Sequence, residues 1–227
     1  MKIVSIIPAR GGSRGIPMKN LILLNKKPLL HYTVNASLNS SLINRTIVST
    51  DDDKIANEAR QIGAEVIKRP KKLSTSKITI EPTIKHILDF LKNREKYVPD
   101  VIVLLQNTSP LRTTKHIDSA LGLFKKYKYD SVLSGFISHY LLWKIQGGIV
   151  LPINYNPLKR PNRQQMKNQF IENGAIYITK YLSFKKSNCR ISGKIGFYEM
   201  AEEISIQIDS EYDLLYAEHM LKKMAGF

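Results

Sequence analysis

The densest chemistry in the chain sits in one short glycine-rich segment. The apolar run Ile3 to Ile7 passes through Pro8 into Ala9-Arg10-Gly11-Gly12-Ser13-Arg14-Gly15, followed by Pro17, Lys19 and Asn20. Three glycines let the backbone turn tightly and present N–H groups, and Arg10, Arg14 and Lys19 add three cations. Backbone donors with cations at the C-terminal end of a buried strand suit a polyphosphate. The spacing matches neither G-x-G-x-x-G, where Arg10 takes the first glycine place, nor the Walker G-K-[ST]. Taken alone, the loop can also be read as a flexible surface turn with solvated basic residues.

Other polar clusters follow strand-like runs. Gln106, Thr108, Ser109 and Arg112 come directly after Val101 to Leu105, where an open α/β sheet places its ligand crevice. Ile204, Ile206 and Ile208 alternate with Ser205, Gln207 and Asp209, so a strand here would carry Gln207 and Asp209 on one face. Asp51, Asp52 and Asp53 precede a helical stripe and are expected to cap it rather than hold a metal. His31, His86 and His116 fall on predicted helices at unrelated spacings and are expected to be packing or surface residues. No Ser–His–Asp arrangement suggests itself.

The elements that must position these residues alternate in type. Ile3 to Ile7, Thr46 to Ser49 and Val101 to Leu105 are near-continuous apolar runs, as expected of parallel strands covered on both faces. Between them run helical stripes: Ile55, Ala59 and Ile62, then Ile84, Ile87, Leu88 and Leu91, with Pro82 suited to a first helical turn. Ile117, Ala120, Leu121 and Phe124 follow, with Thr113 or Thr114 as N-cap. This order predicts a three-layer, mostly parallel α/β sheet. After about Ser131 the pattern changes. Ser131 to Phe136 reads as a strand, and Tyr140 to Ile145 with Ile149 to Ile153 as a hairpin around Gly147-Gly148. Asn154 to Gln169 has no period and reads as an excursion over a ligand or towards a partner subunit. Ala175 to Ile178 resumes regular structure, and a last helix is predicted from Ser210 with Asp213 as its capping partner.

Length and composition bound the function classes. A chain of 227 residues suits a single domain, and no apolar run approaches the roughly 18 residues of a membrane span. The N-terminal run is too short for a signal peptide and reads as a strand. One cysteine, Cys189, agrees with a reducing compartment, and the cytoplasm is the expected location. The net charge of +16 favours anionic ligands. The basic residues are scattered doublets without interleaved aromatics, so a nucleic-acid groove is the minority reading.

Six segments together carry a resemblance that spans essentially the whole chain. Ile7 to Asn20 resembles the opening signature of the acylneuraminate cytidylyltransferases, or CMP-sialic acid synthetases. Val48-Ser49-Thr50-Asp51-Asp52, Arg69-Pro70, Leu104 to Arg112, Asn173 to Ile178 and Ile208 to Asp213 match in the same order.

The resemblance implies a Rossmann-like fold of the nucleotide-diphospho-sugar transferase type, one cytidylyltransferase domain over 1–227. Within it, a small β excursion at about 137–170 would serve dimerisation and cover substrate. It implies that CTP and a nine-carbon 2-keto acidic sugar, N-acetylneuraminate or a close relative, give the CMP-sugar and pyrophosphate. Arg10, Gly11, Ser13, Arg14 and Lys19 would line the triphosphate, Asn20 would lie near the ribose, and Arg69 would contact the cytosine. Gln106, Thr108, Ser109, Arg112, Lys144, Arg163, Gln164, Gln165 and Tyr177 would face the sugar. Mg²⁺ would be held by Asp209 with Gln207, and Arg10, Lys19 and Asp209 would be the catalytic set. A homodimer is implied, with no membrane partner. The chain departs from the family pattern at Arg14 (often lysine), Ser76 (usually aspartate), Asn107 (usually proline) and Gln207 (often a second carboxylate). Legionaminic or pseudaminic acid is an alternative sugar, and a basic nucleic-acid-binding protein without catalysis is the alternative of another class.

Overall fold

The computed structural model describes residues 1–12, 15–166 and 169–224. In chain order its elements are β1 (Ile3–Pro8), β2 (Leu23–Leu24), β3 (Lys27–Pro28), α1 (Leu29–Leu38), β4 (Arg45–Thr50), α2 (Asp53–Ile62), β5 (Glu65–Lys68), α3 (Glu81–Glu95), β6 (Val101–Leu105) and α4 (Thr114–Lys126). Then come β7 (Ser131–Ile137), β8 (Trp143–Gln146), β9 (Ile149–Pro152), β10 (Phe170–Lys180), α5 (Tyr181–Ser187), β11 (Ile195–Glu199) and α6 (Glu211–Met224).

Seven strands form one sheet in the order β11-β7-β10-β6-β1-β4-β5. All pair in parallel except β10, which runs antiparallel to both β6 and β7. The central strands bury both faces, which is why their sequences lack a polar alternation. Val101, Val103, Leu105, Ile176 and Ile178 face one layer, packed with Leu30 and Val34 of α1, Ile55 of α2 and Ile117 and Phe124 of α4. Ile102, Leu104 and Tyr177 face the other, against Ile84, Ile87 and Leu91 of α3 and Phe184 of α5. The result is the expected three-layer sheet.

Helix ends are fixed by the residues the sequence offers. The Asp52 side chain accepts from the Ile55 N–H at 3.0 Å, and Gly63 closes α2 at φ +106°, a conformation that favours glycine. Thr113 and His116 form a reciprocal capping box on α4. The Asp213 carboxylate accepts from the Ser210 N–H at 2.7 Å and the Asp209 N–H at 3.0 Å, so α6 begins where the sequence indicated.

One expected strand is absent. Glu202–Ile204 is a 3-10 turn, and residues 205–209 form no ladder. Ile208 is instead buried with Ile16, Leu24, Leu29 and Ala217, and its N–H reaches the Thr108 carbonyl at 2.8 Å. The alternating isoleucines therefore reflect anchoring of a loop, not a sheet. Short elements went unread in the sequence: β5, β11 and α5 are too brief to show a period.

The hairpin β8–β9 forms its own two-stranded sheet. It is apolar but exposed, with Ile145 at 78% and, in the following turn, Leu158 at 92%.

Candidate active site

The C-terminal ends of β1, β5 and β6 open onto one cleft of about 420 Å³. Arg10, Lys19, Asn20, Arg69, Gln106, Thr108 and Asp209 all line it, as do Gly15, Asn107 and the segment Leu73 to Ile80 through Thr75, Ser76, Ile78 and Thr79. Motifs scattered over some two hundred positions thus meet in one cavity, at the place an open α/β sheet keeps for ligands.

The glycine loop is held from three sides. The Gly11 N–H donates to Asp51 Oδ1 at 3.1 Å. Asn20 Nδ2 donates to the Arg10 carbonyl at 2.8 Å, and Asn107 Nδ2 donates to Asn20 Oδ1 at 3.1 Å. Lys19 Nζ, largely buried, donates to the Ile208 carbonyl at 2.5 Å and to Asp209 Oδ1 at 2.9 Å. Gly15 approaches the Asp209 backbone so closely that a Cβ would lie 2.6 Å from its carbonyl oxygen. Gly15→Ala is therefore expected to push the loop off the Asp209 segment. Turnover should fall about tenfold or more, since small displacements of positioning groups have large rate effects, while the melting temperature stays close to that of the unchanged protein. Steady-state kinetics beside a thermal melt checks this.

Arg69 is 5% exposed and has no ion-pair partner among the described residues; Nη1 donates to Thr83 Oγ1 at 3.1 Å and Nη2 to the Ser49 carbonyl at 3.4 Å. Burial pulls its pKa down, nearby Asp51 opposes this and Arg10 adds to it. A buried cation whose side-chain bonds go to neutral oxygens, at the rim of a cleft, is ready to donate to a ligand that enters.

Several expected site residues lie elsewhere. Arg112 is fully buried, and its Nη1 donates to the carbonyls of Gln106 and Ala175, each at 3.1 Å. Burial without a carboxylate lowers its pKa. It braces the exit of β6 against β10 behind the cleft wall and does not line the cleft. Ser109 is likewise buried. Tyr177 packs on the α3 face with its hydroxyl donating to Glu172 and the Arg190 guanidinium 4.9 Å from its ring centroid. Burial first, then the Glu172 bond, raise its pKa. Lys144 on β8 and Arg163 in the 3-10 turn Arg163–Gln165 are exposed and apart from the cleft in this chain, because the hairpin sheet is separate from the main one. Gln164 belongs to the same exposed turn, and Gln165 Oε1 accepts from the Asn162 N–H at 2.8 Å. Ser13 and Arg14 lie outside the described residues.

Gln207 does not share a strand face with Asp209. Its amide and that of Gln106 both lie against Gly174, where a Cβ would stand 2.7 Å from Gln106 Oε1 and 3.1 Å from Gln207 Nε2. Gly174 also has φ +68°, so both backbone conformation and space call for glycine. Among the described residues no group of three His, Cys, Asp or Glu side chains could enclose a metal. The Asp209 side chain, 74% exposed, offers one carboxylate. That donor set fits a hydrated Mg²⁺ brought by phosphates, not an all-protein cage.

Sequence reasoning missed Asp51 as the tether of Gly11 and Asn107 as the partner of Asn20. The Asp51 tether had a signal, since three consecutive acidic residues exceed what one N-cap requires. For Asn107 the signal was a polar side chain in a place where the family usually has proline.

Comparison with known proteins bears on this arrangement. The sequence matches the cytidylyltransferase family over residues 4–225. The chain belongs to that family. This cytidylyltransferase chain is 36% identical to N-acylneuraminate cytidylyltransferase A of Danio rerio, over 99% of its own length and 52% of the relative's. It is 35% identical to the N-acylneuraminate cytidylyltransferase of Escherichia coli O18:K1:H7, over 93% of its length and 50% of the relative's. The chain thus spans about half the length of these curated relatives. Among solved structures it is similar to CMP:2-keto-3-deoxy-manno-octonic acid synthetase complexed with CTP, at TM-score 0.72 and 14% identity, covering 99% and 100% of the two chains. A 4-diphosphocytidyl-2C-methyl-D-erythritol synthase from Anaerococcus prevotii follows at TM-score 0.68 and 14% identity, covering 97% and 98%. These two likenesses bear on the fold. No helix among the described residues of this cytidylyltransferase is long and apolar enough to cross a membrane.

Proposed function

We propose that the chain transfers the cytidylyl group of CTP to the anomeric hydroxyl of a nine-carbon 2-keto acidic sugar of the sialic type, releasing pyrophosphate. The observation that carries this reading is the single cleft lined by Arg10, Lys19, Asn20, Arg69 and Asp209. The names of the full-length relatives support the sugar class.

The transfer forms a bond from the sugar oxygen to the α-phosphorus and breaks the bond to the β-phosphate bridge. It therefore needs in-line placement and neutralisation of phosphate charge more than a covalent intermediate. Arg10 and Lys19 supply positive charge for the triphosphate, and the Lys19 bonds to Ile208 and Asp209 hold that ammonium in place. Arg69 supplies donors at the base end. Gln106 and Thr108, which line the same cleft, would contact the acceptor sugar. Mg²⁺, held by Asp209 with substrate phosphates, would supply further charge neutralisation.

Asp209→Asn is expected to raise the magnesium concentration for half-maximal rate at least about tenfold. It should also abolish the magnesium-dependent gain in CTP affinity seen by calorimetry. Normal turnover across a magnesium titration would contradict the assignment.

The exposed apolar hairpin supports a homodimer in which β8–β9 forms subunit contact and Lys144 and Arg163 reach a sugar site. An arginine fork binds a carboxylate at two points, so Arg163→Ala is expected to raise the sugar KM by about tenfold or more and leave the CTP KM little changed. An equal rise in both refutes the role. The single cysteine supports a reducing location, the cytoplasm.

The reading is tested by pyrophosphate release with CTP against sialic, legionaminic, pseudaminic and Kdo sugars. Release with sialic acid ahead of the others is expected. Release with none of them, together with tight RNA or DNA binding, would overturn it.

A further inference from the structure

The exit of β4 anchors two arginines that come from different segments of the chain. Arg10 and Arg69 both line the cleft, whereas Asp51 does not. The Ala9 N–H, next to Arg10, donates to the Ser49 carbonyl at 2.9 Å, and the Arg69 N–H donates to the Thr50 carbonyl at 2.7 Å. Arg69 Nη2 also reaches the Ser49 carbonyl, at 3.4 Å. These acceptors are backbone carbonyls, which any residue at 49 and 50 would supply. The hold on the other side of Arg10 differs. The Gly11 N–H donates to Asp51 Oδ1 at 3.1 Å, so this bond depends on the side chain at 51. That side chain stands on a braced stretch: the Asp52 N–H donates to Thr50 Oγ1 at 3.1 Å, and Asp52 Oδ1 accepts from the Ile55 N–H at 3.0 Å.

Arg10 is thus pinned through both chain neighbours to the corner that also pins Arg69. Charge makes this hold matter. Burial lowers the Arg69 pKa, Asp51 opposes that shift and Arg10 adds to it, so the carboxylate and the two guanidinium groups lie close enough to interact. Like charges repel, and a loop released from Asp51 would drift from Arg69 while the cleft is empty. A nucleoside triphosphate has a limited span from base to phosphate tail. A site whose two arms already stand at that span binds it without the cost of ordering them.

We propose that Asp51 is a positioning residue: by holding the Gly11 N–H at the exit of β4, where Arg69 is also anchored, it sets the spacing of Arg10 and Arg69 to the length of a whole nucleotide. The inference rests on the nucleotide reading above.

The test measures calorimetric binding of CTP, CMP and pyrophosphate, each with magnesium, to the unchanged protein and to Asp51→Ala, Asp51→Glu and Asp51→Asn. CMP engages the base end and pyrophosphate the tail end, so neither fragment needs both arms in register. Alanine is expected to weaken CTP about tenfold and each fragment about twofold or less, because only the linked ligand exploits the fixed spacing. Glutamate keeps the charge but moves the acceptor by one methylene, and is expected to show the same CTP-selective loss. Asparagine keeps an acceptor for the Gly11 N–H without the charge, and is expected to recover most of the loss. A thermal melt reports folding, and glutamate carries the comparison if alanine melts too low to assay. CTP weakened no more than a fragment, or asparagine as weak as the other variants, overturns the proposal. Absence of binding of all three ligands by the unchanged protein defeats the nucleotide reading itself, and this inference with it.

Discussion

Replacing Lys19 by methionine is expected to lower kcat/KM for CTP by about 10³-fold, near the upper end for loss of one preorganised charge. The ammonium is largely buried between the Ile208 carbonyl and the Asp209 carboxylate. It is therefore already oriented when substrate arrives, and no reorganisation is needed as charge builds on the leaving pyrophosphate. Its loss does more than subtract a cation. The Ile208 carbonyl and Asp209 would face the triphosphate without their partner and repel it. Most of the effect should fall on kcat, with the sugar KM little changed. A decrease confined to CTP affinity would mean that Lys19 only gathers the nucleotide.

Arg69→Met should have the second largest effect and an unusual sign pattern. CTP KM is expected to rise about 10²-fold, equivalent to about 2.7 kcal/mol, while the melting temperature holds or increases. The reasoning is electrostatic. A guanidinium in the interior, paired with no carboxylate among the described residues, loses hydration that the Thr83 and Ser49 oxygens replace only in part, and apolar residues of similar volume often fit such places better. A protein keeps a cation under those conditions when a ligand uses it. If instead the variant melts several degrees lower and binds CTP normally, Arg69 is a strut and the base contact lies elsewhere.

Much of this architecture was legible because buried parallel strands leave an unmistakable pattern. β1, β4 and β6 are uninterrupted apolar runs, and α2, α3 and α4 show their stripes and caps in sequence. The glycine loop stood out by residue type, three glycines with three cations, and Arg10, Gly15 and Lys19 of that segment line the cleft. The segment 204–209 misled because alternation is a necessary sign of a strand but not a sufficient one. Ile208 alternates with its neighbours only because one apolar side chain pins a loop into the small cluster with Ile16 and Ala217.

Arg112 and Tyr177 show a second limit. Motif membership places a residue near a site but does not say which way its side chain turns. Arg112 turns behind the wall to hold two backbone carbonyls. Tyr177 follows the two-residue period of β10 onto the α3 face, opposite its neighbours Ile176 and Ile178. The amide pair Asn20–Asn107 joins residues 87 positions apart, and no local pattern announces such a bond.

The central claim, that one cleft moves the α-phosphate of CTP onto an acidic sugar, is tested most directly by following a label. CTP carrying labelled α-phosphate is incubated with the protein, magnesium and the sialic-type sugar. The account predicts that the label appears in a CMP-sugar with one pyrophosphate released per transfer, and that Lys19→Met nearly abolishes this. Label remaining in CTP, or passing to free CMP at a rate indifferent to the sugar, would contradict it.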